Sequence, residues 1–239
     1  MQGPPNANVA IKSLIMNTLS GKMSMHNSEK MFFISVLVGG GLNWRPKQTG
    51  KAGFRSMDLT EKTLGVTRVF EGRALTIDVA EIEMPNGRRS TREIVRHRGA
   101  AVVLGQRPDG KYVLIRQYRR SVELTLLEMV AGGLEEGESA EEGARREMEE
   151  ESGYRVETLE RVAVIVPCPG YSEERLHLFF AHVSQEPVEK RPDFDENLET
   201  VVMTAEEIES ALDGGELIDG KSVALWLLWR RKVSSGRKC

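Results

Sequence analysis

Cysteine is scarce: the 239-residue chain has two, Cys168 and Cys239. Two thiols cannot build a disulfide framework or a four-thiolate zinc site, and such sparse use fits a reducing compartment. Long apolar runs are missing as well. In the first quarter of the chain the longest candidate is Met31 to Val38, which Gly39-Gly40-Gly41 ends. That is under half of the roughly 18–20 residues a spanning helix needs. Lys30 ahead of it faintly resembles the start of a signal peptide, but the run begins about thirty residues in, later than such segments sit. Aromatics are 6% and the 23 glycines are an ordinary number, which excludes collagen-like, coiled-coil and low-complexity chains. The expectation is a soluble, cytoplasmic protein with no membrane partner. At 40% hydrophobic and 29% charged, the chain can bury one sizeable core and carry an accessory piece.

Charge is unevenly spread. Residues 1–56 carry seven Lys and Arg against one acid, Glu29, so the rest of the chain is more acidic than the overall −3. An acidic domain is a poor nucleic-acid binder, since neutralising phosphates takes a basic face. It can instead hold divalent cations. The first 56 residues also hold half of the ten methionines and show no sustained period. They read as a poorly ordered basic extension, dispensable for folding and activity, with Met57 as a working start.

From Met57 the pattern becomes regular. Leu75, Ile77 and Val79 alternate, then Ile82 and Met84 alternate in the opposite phase, which predicts a strand containing a bulge. Pro85-Asn86-Gly87 predicts a hairpin turn into Thr91–Val95. Ala100–Leu104 and Tyr112–Ile115 predict a second hairpin around Pro108-Asp109-Gly110. Further strands are expected at Leu126–Val130, Val162–Val166, Leu176–Val183 and Thr200–Met203. Helices are expected over Ala140–Ser152, after the Thr204–Glu207 capping box, and from about Lys221 to Lys232. Many strands around a few helices, without βαβ alternation, make a mixed α/β fold.

Chemistry concentrates between Gly132 and Tyr154. Ser139 with Glu142 forms a capping box, and Gly153 suits the left-handed position that ends a helix. Between them Glu147, Glu150 and Glu151 stand at i, i+3 and i+4, three carboxylates on one helix face. Such charges repel by roughly 0.2–0.5 kcal/mol per exposed pair. A counter-charge is therefore expected, part from Arg146 and part from hard divalent cations. The plain alternative, a solvated acidic face, is weakened by the glycine turn, the cap and the spacing together.

The stretch is identified as a Nudix box, G-x5-E-x7-R-E-U-x-E-E-x-G-U with U apolar. Gly132, Glu138, Arg146, Glu147, Glu150, Glu151 and Gly153 fill the fixed places, with Met148 and Tyr154 at the apolar ones. The resemblance implies an α/β/α sandwich with a mixed sheet that hydrolyses a nucleoside diphosphate linked to another group, with Mg²⁺ or Mn²⁺ and two or more ions per site. Arg116-Gln117-Tyr118-Arg119, Glu128–Gly132 and Pro169–Glu174 further resemble the ADP-ribose pyrophosphatase subfamily. That likeness implies an N-terminal antiparallel β subdomain over residues 57–98, a Nudix domain over 99–235, and a homodimer. It also implies ADP-ribose as substrate, cut to AMP and ribose 5-phosphate. Rivals are an NDP-hexose or GDP-mannose pyrophosphatase and a catalytically silent nucleotide-sensing module.

By the same likeness, Glu147, Glu150, Glu151 and the carbonyl of Ala131 are the expected metal ligands, with Arg146 and Glu150 in the catalytic set. Arg119 has the guanidinium geometry to grip a phosphate, backed by a basic cluster with Arg116, Arg120 and Arg98. Glu128 lies in an apolar strand, where a buried partner or a substrate contact is expected. Glu174 is a substrate-side candidate on a loop. Glu196, in the polar loop Arg191–Glu199, is the candidate general base, and Glu199 competes with it. Arg92 and Glu93 are expected to help complete the partner subunit's site. Cys168 reads as structural; the four histidines, His26, His97, His177 and His182, are too scattered for a zinc set, and the last two read as satisfied strand residues.

Overall fold

The structure, a computed structural model, describes residues 58–73, 75–188 and 197–236. The expected basic extension and Glu196 lie outside them. Among the described residues, no helix is long and apolar enough to cross a membrane.

Three strands come first, β1 (Lys62–Glu71), β2 (Thr76–Glu83) and β3 (Arg89–Arg96), in an antiparallel sheet of that order. The predicted turn between β2 and β3 is present, with Gly87 N–H donating to Met84 O at 2.8 Å. The predicted bulge is not in β2, which pairs with β3 in unbroken register from Thr76↔Arg96 to Glu83↔Arg89. The extra residues belong to β1, where register shifts fall between Thr63 and Gly65 and between Arg68 and Phe70. The buried phase of β2 is Asp78, Ala80 and Ile82. Hydropathy hid this phase because its first member is a charge. Asp78 tolerates burial by accepting from Arg68 Nε at 3.0 Å and Arg96 Nε at 2.8 Å.

A seven-stranded mixed sheet follows. Its main order is β10 (Leu198–Met203), β5 (Tyr112–Arg119), β4 (Ala100–Gln106), β9 (Leu176–Val183) and β8 (Val156–Ile165). The β4–β9 pair is parallel. The second hairpin forms, but β4 and β5 pair only at Gly105↔Val113 and Gln106↔Tyr112. Beyond that they splay, and the stretch expected as one strand over Leu126–Val130 breaks at Met129 to serve both. Its first half, β6 (Leu124–Glu128), pairs with β5, and its second, β7 (Val130–Gly133), pairs with β4.

The two faces of β4 show the layering. Ala101 and Val103 pack under α1 (Ala140–Ser152) with Ala144, Met148 and Phe179. Ala100, Val102 and Leu104 pack on the other side with Ile208 of α2 (Ala205–Asp213) and Leu225 and Trp226 of α3 (Gly220–Ser234). Strand alternation puts successive residues on opposite faces, so both faces must be apolar when helices cover both. The result is the expected α/β/α sandwich. Trp226 meets Tyr112 edge-on, ring centroids 5.2 Å apart, and Trp229 stacks on Phe180 at 3.6 Å.

The three-stranded sheet is tied to this sandwich through the loop before β9. Val95 N–H donates to Tyr171 O at 2.7 Å, and Glu173 N–H donates to Val95 O at 3.2 Å. Arg96 adds a charge link to Glu173 Oε2 at 2.7 Å. β1 is exposed along its whole length and carries Leu64, Val66, Val69 and Phe70 to solvent.

Candidate active site

The site grows from the caps of α1. Ser139 Oγ accepts from Glu142 N–H, and the Glu142 carboxylate accepts in return from Ser139 N–H at 2.9 Å. At the other end Gly153 takes φ 80°, where a side chain would be strained, and its N–H closes on Glu149 O. With both ends set, the spacing of the glutamates decides their direction. Glu147 and Glu151 turn inward, 8% and 1% exposed, while Glu150 remains half-exposed.

Arg146 holds the acidic face together. Its Nε and Nη2 donate to the two oxygens of Glu138 at 2.8 and 2.9 Å. Nη1 donates to Glu147 Oε1 at 2.7 Å and Glu150 Oε2 at 3.1 Å, and Nη2 reaches Gly133 O at 3.0 Å. The expected counter-charge is thus observed, in a bidentate geometry that lysine could not supply. These carboxylates hold the Arg146 guanidinium above its already high ordinary range. In return its hydrogen bonds hold the Glu138 carboxyl below the usual carboxylate range.

The facing strand is cut to fit. Ala131 N–H donates to Glu151 Oε2 at 3.1 Å. A Cβ on Gly132 would stand 1.9 Å from Glu147 Cδ, so glycine alone lets that carboxylate lie over the β7 backbone. Among the described residues no three carboxylates, histidines or thiols already converge as a metal cage. Here Arg146 bridges Glu147 and Glu150, and the Ala131 amide engages Glu151. The donor set itself is three hard carboxylates within one turn, two of them buried against a backbone strand. That chemistry fits a hard divalent cation.

The basic cluster anticipated around Arg119 is dispersed. Arg116 turns to the opposite face and donates to Glu216 at 2.6 Å, lining a cavity of about 590 Å³ with Met203 and Glu207. Arg120 pairs with Glu123 and Arg98 with Glu136. Alternation along β5 separates Arg116 from Arg119, a fact that adjacency in sequence conceals. Arg119 and Glu128, read separately, are partners: Nε and Nη2 each donate to a Glu128 oxygen at 2.7 Å. Burial pushes the Glu128 carboxyl up, but Arg119 and Lys221 outweigh it and hold it below its ordinary range.

The other candidates each have surroundings of their own. Glu174 faces His97, Oε1 to Nε2 at 3.7 Å. Arg92 is held on the three-stranded sheet by Glu61, Nε to Oε2 at 3.1 Å, and Glu93 beside it is exposed. Glu199 is exposed on β10. His177 is not the satisfied residue expected, since its buried Nδ1 has no hydrogen-bond partner among the described residues and burial lowers its basicity. Lys221, Asp219 and Ser222, which neither motif nor periodicity singles out, surround Glu128 and Met129. The readable signal was the helix cap, because Asp219 is the N-cap of α3.

Several carboxyls are held below their ordinary pKa, among them Asp78 beside Arg68 and Arg96, Glu138 beside Arg146, and Glu128 beside Arg119 and Lys221. Each binds its proton more weakly folded than unfolded. Its stabilisation is therefore full above the unfolded value, roughly 4, and is lost as pH falls through the lower folded value. The melting temperature should hold from about pH 7 to about pH 5 and fall below that. Asp78→Asn should lower the neutral-pH melting temperature and flatten the acid limb. A melting temperature that rises on acidification would contradict the assignment.

Comparison with known proteins gives the family. The NUDIX domain family model matches residues 95–226. The chain is 38% identical over 165 residues to an ADP-ribose pyrophosphatase of Bacillus subtilis (strain 168), covering 69% of this chain and 89% of that protein. It is 36% identical over 164 residues to a methanol dehydrogenase activator of Bacillus methanolicus, covering 68% and 89%. A crystal structure of an ADP compounds hydrolase superposes with TM-score 0.66 at 25% identity, covering 77% of this chain and 100% of that one. The matched region contains the capped helix, its Arg146 clamp and the glycine-cut strand, and with them this chain belongs to the Nudix family.

Proposed function

We propose that this chain hydrolyses the pyrophosphate bond of ADP-ribose, or of a related ADP-sugar, to AMP and ribose 5-phosphate. The observation that carries the reading is the buried carboxylate face of α1 set against Ala131 and Gly132 of β7. A divalent cation, Mg²⁺ or Mn²⁺ with two or more per site, held by Glu147, Glu150, Glu151 and the Ala131 carbonyl, would neutralise phosphate charge and acidify a bound water. The chain's own residues do the rest. Arg146 keeps the ligand carboxylates aligned, and Arg119, fixed by Glu128 through Nε and Nη2, presents Nη1 to a phosphate oxygen. Glu196 takes the proton of the attacking water, with Glu199 the competing base. Water oxygen bonds to one phosphorus, the anhydride P–O bond breaks, and the bridging oxygen leaves on the other phosphate.

The test is release of AMP from ADP-ribose with Mg²⁺, run beside GDP-mannose and other nucleotide sugars. ADP-ribose should show the highest kcat/KM. Preference for GDP-mannose overturns the substrate, and nucleotide binding without turnover under any divalent cation makes the protein a sensing module.

We also read the three-stranded sheet as a homodimer surface through which Arg92 and Glu93 reach the partner subunit's site. Support comes from β1, which offers Leu64, Val66, Val69 and Phe70 and an edge unpaired among the described residues. Sedimentation at micromolar concentration should give a dimer. A fully active monomer rules this out.

A further inference from the structure

Glu128 ends β6 with a side chain only 1% exposed. A buried carboxylate needs one counter-charge, and this one has two. Arg119 grips it bidentately, and Lys221 Nζ donates to Oε2, the oxygen that also accepts from Arg119 Nη2. Lys221 lies in the first turn of α3, where the helix dipole disfavours a cation. Asp219 offsets that, accepting from Lys221 Nζ at 2.9 Å while capping α3 through Ser222 N–H at 3.1 Å. Ser222 is fully buried and its Oγ accepts from Met129 N–H at 2.7 Å. The first turn of α3 therefore holds Glu128 and Met129, the two residues that lead into β7 and Ala131.

The four charged groups, Arg119, Lys221, Glu128 and Asp219, sum to zero. Without Lys221 they sum to −1 at the point where Arg119 would meet a diphosphate. Two of the Arg119 nitrogens are engaged by Glu128, and the side chain keeps 36% of its surface open, so an anion can approach its outer edge.

We propose that Lys221 is a positioning residue for the substrate pyrophosphate: by sharing the charge of Glu128 it leaves the outer edge of Arg119 positive toward the phosphates. The inference rests on the reading of Arg119 as the phosphate grip. Lys221→Met should raise KM for ADP-ribose about tenfold with kcat within about threefold, the pattern of lost electrostatic binding. Lys221→Arg should recover most of the affinity, because the charge returns. Asp219→Asn keeps a capping side chain and removes one negative charge, so it should lower KM. A merely structural lysine gives a lower melting temperature with KM unchanged.

If wild type turns over ADP-ribose while Lys221→Met leaves KM unchanged, or Asp219→Asn leaves it unchanged or raises it, the inference is wrong and the proposed activity stands. If wild type turns over no nucleotide sugar, the activity is wrong. Calorimetric titration of wild type and Lys221→Met with ADP-ribose then decides: weaker binding to the variant upholds the inference, and equal or no binding overturns it.

Discussion

Glu151→Gln, and separately Glu147→Gln, should lower kcat by at least about 10³-fold, the loss expected when several kcal/mol of charge stabilisation at the transition state is removed. The substitution keeps shape and takes away one negative charge. The fold should survive it, because the new amide oxygen can still accept from Ala131 N–H in the first variant and from Arg146 in the second. Stability in metal-free buffer should be unchanged or slightly raised, since three carboxylates within one turn repel. Circular dichroism and a melting curve check the fold, and AMP release checks the rate. Activity within a few-fold of wild type would remove these glutamates from the metal site.

Gly132→Ala should act through Glu147. The new methyl would lie 1.9 Å from Glu147 Cδ and 2.0 and 2.2 Å from its oxygens. The end of a flexible side chain gives way before a sheet backbone does, so the carboxylate should swing off β7 and part from Arg146. A displacement of about 1 Å at a site of this kind costs on the order of 10²-fold in rate. Overpacking costs about 1–3 kcal/mol, a few degrees of melting temperature in a domain of this size. Coupling is the sharper check. In a Glu147→Gln background the same alanine should cost little further activity, because the group it displaces has already lost its charge. Losses that multiply would place the effect of Gly132 elsewhere.

Most of the box is legible in the chain itself because its interactions are short in sequence. Ser139 and Glu142 cap each other across three residues, and Arg146 reaches Glu147 and Glu150 within one helical turn. Helix periodicity alone puts the three glutamates on one face. The β2–β3 turn is readable for the same reason. Where the pattern misleads, a charge or a change of strand partner is responsible. Asp78 breaks the apolar phase of β2 while being its buried member, and Leu126–Val130 reads as one strand because an exchange of partner at Met129 leaves no mark on hydropathy.

The chain alone therefore specified a capped acidic helix, a glycine-marked entry strand and the chemistry of a Nudix box, all set by contacts a few residues apart. Tertiary structure decided which side chains meet those groups. It paired β4 with β9 in parallel across about seventy residues of intervening chain and turned Arg116 away from Arg119. It also brought Lys221 to Glu128 from 93 residues downstream. Periodicity reports only the face a residue takes on its own element. Which faces meet depends on how the whole chain closes around two buried layers, and a buried charge finds its partner only once that closure is made.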